Sequence, residues 1–101
     1  MTDMDKLIAA VEAGTFMMDV LSPENEMTAY DAFSGSLDAA KRLHDALLPG
    51  WDYCIDYVQR SKPLAYVQDE GGPTFDGEAD TPAHAWLLAI LKAVNAQERK
   101  T

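Results

Sequence analysis

The side chains with the most chemistry to offer are acids. Residues 69–80 hold Asp69, Glu70, Asp76, Glu78 and Asp80 with no Lys or Arg among them. The spacing Asp76-x-Glu78-x-Asp80 has the alternation of a calcium loop, but an EF-hand also needs glycine at loop position 6 and a bidentate Glu at position 12. Counted from Asp76, those positions are Thr81 and Leu87, so no metal site is expected. On a strand, side chains alternate between faces, and Asp76 and Glu78 would share one. If Asp52 and Asp56 lie on that same face, four carboxylates converge into an acidic patch suited to a partner's basic surface. Nucleophilic catalysis finds less support, since it needs a thiolate or activated hydroxyl with a base in reach. Cys54 is the only thiol and stands between Asp52 and Asp56. Ser22, Ser34, Ser36 and Ser61 fall in cap or turn contexts without a nucleophile elbow. His44 and His84 sit on different predicted helices, with no Cys or His at zinc-ligand spacing, and Gly71-Gly72 is too small a fragment to cradle phosphate. The expectation is a protein without catalytic residues and without a cofactor.

Charge sharpens this reading. Asp plus Glu number 17 against 8 Lys plus Arg, a net charge of −9 in 101 residues. A field of that sign repels phosphate backbones, whose binding depends on Lys and Arg releasing counterions. Direct nucleic-acid binding is therefore disfavoured, whereas a basic protein surface, including one that normally holds nucleic acid, would be attracted. One cysteine allows no intrachain disulfide and fits a reducing compartment. The first residues carry Asp3 and Asp5 and lack the basic region of a signal peptide, and no run approaches the roughly 20 apolar residues of a membrane span. A cytoplasmic protein with no membrane partner is expected.

The elements that must position the acids follow from capping and periodicity. At 101 residues the chain is predicted to be one domain. Asp3 is placed to cap a first helix over residues 4–13, with Leu7, Ala10 and Val11 on one face and Gly14 as its left-handed stop. Residues 15–35 are expected to be irregular with at most one short helix, opened by Ser22 and Pro23. Their apolar run of Phe16, Met17, Met18, Val20 and Leu21 is a candidate partner or homodimer contact in Phe16, Met17, Met18 and Leu21, because methionine adapts to irregular surfaces. Ser36 caps a helix over residues 37–48 with Ala39, Ala40, Leu43, Ala46 and Leu47 as its apolar stripe. From 51 to 59 the period becomes two: Trp51, Tyr53, Ile55 and Tyr57 face one way, Asp52, Cys54, Asp56 and Val58 the other. A turn at 60–63, a second strand at 64–68, a loop at 69–74 and a third short strand at 75–79 complete a small antiparallel sheet. Thr81 and Pro82 start a last helix running to about residue 96, apolar on nearly every side, and residues 97–101 read as a frayed tail. The order argues for α+β.

Tyr30 ahead of Ser36-Leu37-Asp38-Ala39-Ala40, then Pro49-Gly50-Trp51, Phe75-Asp76-Gly77-Glu78-Ala79 and Thr81-Pro82-Ala83 followed by Ala85, resembles the phage ABA sandwich domain family over residues 30–93. The resemblance implies a small tailed-phage or prophage protein of unassigned molecular function, and an alpha-beta-alpha layered arrangement of the helices about the sheet. It implies no catalytic residue. Taken with the charge, it points to a non-catalytic accessory protein that binds a protein partner, most concretely a counter-defence inhibitor of the anti-CRISPR type. Such an inhibitor would set Asp52, Asp56, Asp69, Glu70, Asp76, Glu78 and Asp80 against a basic host protein or nucleoprotein complex in an infected or lysogenic bacterium. A virion assembly or self-associating protein is the alternative, and a small metal-dependent hydrolase a remote one.

Overall fold

The computed structural model describes residues 3–56 and 62–99. Four helices, α1 (Asp3–Glu12), α2 (Pro23–Phe33), α3 (Leu37–Leu47) and α4 (Pro82–Arg99), accompany three strands, β1 (Asp52–Asp56), β2 (Leu64–Gln68) and β3 (Thr74–Glu78). The fold is a small α+β domain with one antiparallel sheet in the order β1-β2-β3. Helix starts fall where short polar side chains can take an orphan amide. Ser22 accepts from the Asn25 N–H with Pro23 at the first turn, Ser36 accepts from Ala39 at 3.1 Å, and Thr81 accepts from His84 at 3.1 Å. Gly14, at φ 92, ends α1 as expected. Its N–H bonds the Val11 carbonyl while Thr15 N–H reaches back to Ala10 at 2.8 Å, a Schellman stop that needs a left-handed residue.

Two features depart from expectation, one helix is longer than anticipated, and one expected stretch lies outside the described residues. Residues 23–33 form an 11-residue helix where irregular chain with at most one short helix was anticipated; its buried side is only Ala29 and Ala32, too small to stand out as a periodic apolar face. Helix α4 continues through Arg99, so residues 97–99 are helical rather than frayed. The described part of β1 ends at Asp56; the expected continuation through Tyr57, Val58 and Gln59 and the turn at Arg60 and Ser61 lie outside the described residues. Finally, the helices do not enclose the sheet in an alpha-beta-alpha sandwich. Helix α4 packs on all three strands on one side and on α1, α2 and α3 on the other, so the layers run sheet, α4, remaining helices.

That middle position explains why α4 is apolar all round. Ala83, Ala85, Trp86, Leu87, Leu88, Ala89, Ile90, Leu91 and Ala93 are all buried. The inward sheet residues Ala65, Val67 and Gly77 meet them, together with the half-buried Ile55 and Phe75. Leu7 and Val11 from α1 and Leu43 from α3 close the core from the far side. Polar groups that enter it are paired. The Trp86 indole N–H, which can only donate, reaches His44 Nδ1 at 3.3 Å, so the ring proton sits on Nε2, which donates to the Trp51 carbonyl at 2.9 Å. Asn95 donates to Asp5 at 2.7 Å, fastening α4 to α1.

The tightest contact is at Gly77. A Cβ there would lie 2.4 Å from the Ala85 carbonyl oxygen, 2.5 Å from Leu88 Cβ and 2.8 Å from the Ala89 nitrogen. Because two of these three are helix backbone, no rotamer change can make room. Gly77→Ala is expected to destabilise the fold by about 1–3 kcal/mol, the usual cost of overpacking, read as a lowered urea midpoint. An unchanged midpoint would show that α4 does not seat this closely on β3.

Candidate functional site

The side of the sheet turned away from α4 is assembled by register. Asp52 pairs with Gln68 and Gln68 with Thr74; Cys54 pairs with Tyr66 and Tyr66 with Asp76; Asp56 pairs with Leu64 and Leu64 with Glu78. Partners across a ladder point the same way, so Asp52, Asp56, Asp76 and Glu78 share one face, which meets the condition on which the two pairs would converge. All four are exposed, and no Lys or Arg occurs at any described strand position of that face. Asp69 and Glu70 follow β2 at the Asp52 end and are exposed. Asp80 lies just past β3 at the opposite end, where it meets Lys62 at 3.6 Å.

Tyr66 stands at the centre, half-buried between Cys54 and Asp76. The charge of Asp56 raises its phenol above the ordinary 10.0, with partial desolvation, Cys54, a hydrogen bond to Asp56 and the charge of Asp76 adding in the same direction. The ring is thus an uncharged, amphipathic platform among carboxylates. Beside it, Asp52, Tyr53, Cys54, Tyr66, Gln68 and Thr74 line a shallow cleft of about 100 Å³. Adjacent strands are about 4.8 Å apart, which keeps the acids of β1 and β3 on opposite sides of β2. Among the described residues no group of three or more His, Cys, Asp or Glu could hold a metal ion.

The apolar candidates divide. Phe16, Met17 and Leu21 are partly buried and pack against the core, with Phe16 edge-on to Tyr30 at 5.5 Å and 5.7 Å from Phe33. Only Met18 of the four is exposed, at 55%. Its open neighbours are Met27 and Tyr30, which sequence reasoning passed over although their three-residue spacing on a helix would align them.

The two histidines serve packing. His44 is buried among Trp86, Tyr53 and the Trp51 carbonyl. His84 Nε2 donates to the Val11 carbonyl at 2.9 Å, and its ring lies 4.8 Å from that of Phe33. A polar cleft of about 250 Å³ beside His84 also includes Glu12, Lys62, Glu78 and Asp80; no hydroxyl or thiol side chain lines it among the described residues. No helix is long and apolar enough to cross a membrane among the described residues.

No known protein family matches the chain, and neither does any curated protein or any solved structure. The acidic sheet face therefore has to be judged on its own chemistry. Absorbance titration of the tyrosines is expected to show Tyr66 ionising above 10.0 and moving down in Asp56→Asn. Since the folded chain holds this proton more tightly than the unfolded one, its contribution to stability is complete below 10.0 and is lost as pH rises through the folded value. A Tyr66 titration indifferent to Asp56→Asn would show that the two side chains do not meet.

Proposed function

We propose that the chain is a non-catalytic accessory protein of a phage or prophage that works in the bacterial cytoplasm by binding a protein partner through its bare sheet face. The observation that carries this reading is one open, three-stranded surface presenting Asp52, Asp56, Asp76 and Glu78 around Tyr66. Carboxylates spread over a rigid sheet offer a basic groove a set of fixed negative charges of the kind it meets on a nucleic-acid backbone. The net charge of −9 adds long-range steering toward such a groove. Tyr66 supplies the aromatic contact that interface cores favour, and its ring can receive a guanidinium. The phage setting is proposed from the sequence motifs of residues 30–93 alone, since no family match adds to it, and the partner class that fits best is a basic host nuclease complex of the kind anti-CRISPR proteins inhibit.

The test is affinity capture from a bacterial host lysate with the tagged chain, at low and high salt and with added duplex DNA as competitor. Recovery of a basic nucleic-acid-binding complex, released by salt and displaced by DNA, is expected. Asp52→Lys, Asp56→Lys, Asp76→Lys and Glu78→Lys together should abolish that recovery while leaving the thermal melt near that of the parent chain, because all four side chains are exposed. Recovery that survives the four reversals would contradict the reading.

A further inference from the structure

The helical layer carries an open surface of its own. Met18, Met27 and Tyr30 are 55%, 73% and 50% exposed, and with Glu26 and Asp31 they line a cleft of about 170 Å³. Its walls are already built. On one side the Tyr30 ring is held from beneath by Phe16 at 5.5 Å and Phe33 at 6.2 Å. On the other, the loop bearing Met18 is fixed where the Asp19 backbone N–H donates to the Glu26 carboxylate, with Asp19 in the left-handed region at φ 69. Preformed apolar surface of this kind binds without the cost of ordering itself.

The shape and charge select the occupant. Met27 and Tyr30 stand three residues apart on α2, an unpartnered ridge of the sort that another helix packs along. Glu26 and Asp31 rim the cleft, and among the described residues no Lys or Arg lines it. A second copy of the chain would set these acids against their own equivalents across a two-fold axis, on a protein already at −9. A basic helix meets them with opposite charge. We propose that this cleft docks an amphipathic helix of a partner protein, one large apolar side chain seated among Met18, Met27 and Tyr30 and flanking Lys or Arg side chains paired with Glu26 and Asp31. The surface is separate from the acidic sheet face, and its use does not depend on that face.

A fluorescently labelled amphipathic Leu/Lys helical peptide and its Leu/Glu counterpart, titrated into the full chain and followed by anisotropy, decide the matter. The Leu/Lys peptide is expected to bind, and the Leu/Glu peptide is not. Met27→Ser with Met18→Ser should weaken the Leu/Lys peptide about tenfold or more. A sheet-face variant carrying Asp52→Asn, Asp56→Asn, Asp76→Asn and Glu78→Asn should stay within about twofold. The opposite ranking of the two variants would place the peptide on the sheet and overturn the proposal, as would equal binding of both peptides. Sedimentation velocity adds a further arm: a monomer is expected, and a dimer dissolved by Met27→Ser would make a second copy the occupant and overturn the choice of partner.

Discussion

The closeness of α4 to β3 governs the architecture. At Gly77 the strand carries no side chain, and the space a Cβ would fill is taken by the Ala85 carbonyl and the Ala89 nitrogen. Helix backbone against strand backbone brings Ala65, Val67 and Gly77 directly under the small residues of α4, which are buried in turn. One 18-residue helix thereby covers the inner face of a three-stranded sheet. The remaining apolar side of that helix must also be covered, and α1, α2 and α3 exist in this fold largely to do so. Burial at the far side comes from Leu7, Val11 and Leu43, while side-chain hydrogen bonds tie the layers at Asn95 to Asp5, His84 to Val11, and Trp86 to His44.

A sheet packed on one side only has a second face, and that face has to live in water. Asp52, Asp56, Asp76 and Glu78 are what make it soluble. In the proposed function the same residues would meet a basic partner, because charges that interact weakly across water interact strongly once a partner displaces it. Keeping the free face solvated and, in the proposed function, meeting a basic partner thus draw on one strand pattern. The Met18, Met27 and Tyr30 cleft differs in kind, since it offers apolar surface framed by two acids.

Much of this was legible in the residues. Ser22 with Pro23, Ser36, and Thr81 with Pro82 mark three helix starts because their side-chain oxygens have an obvious amide to accept. The period-two run from Trp51 and the spacing of Asp76 and Glu78 set the acids in two pairs, and the register through β2 joins the pairs on one face. The length of helix α2 was hidden for a physical reason: it buries alanines and exposes Met27 and Tyr30, which inverts the usual pattern. The layer order had a signal that pointed the other way from the sandwich arrangement, since strands alternating acid with apolar residues announce one solvated face. The place of His44 could not be read locally. Its partners are a carbonyl seven residues on and an indole 42 residues away, brought together only when α3, α4 and β1 close.

Solvent relaxation by a neutral gadolinium chelate, measured residue by residue by NMR on the full chain, tests the one-sided layering on which both surfaces depend. Strong relaxation at the side chains of Cys54, Tyr66 and Asp76, with Ala65, Val67 and the interior of α4 shielded, is the expected result. Shielding at Tyr66 and Asp76 equal to that at Val67 would mean that the acidic face is covered in the free protein, and would contradict the account.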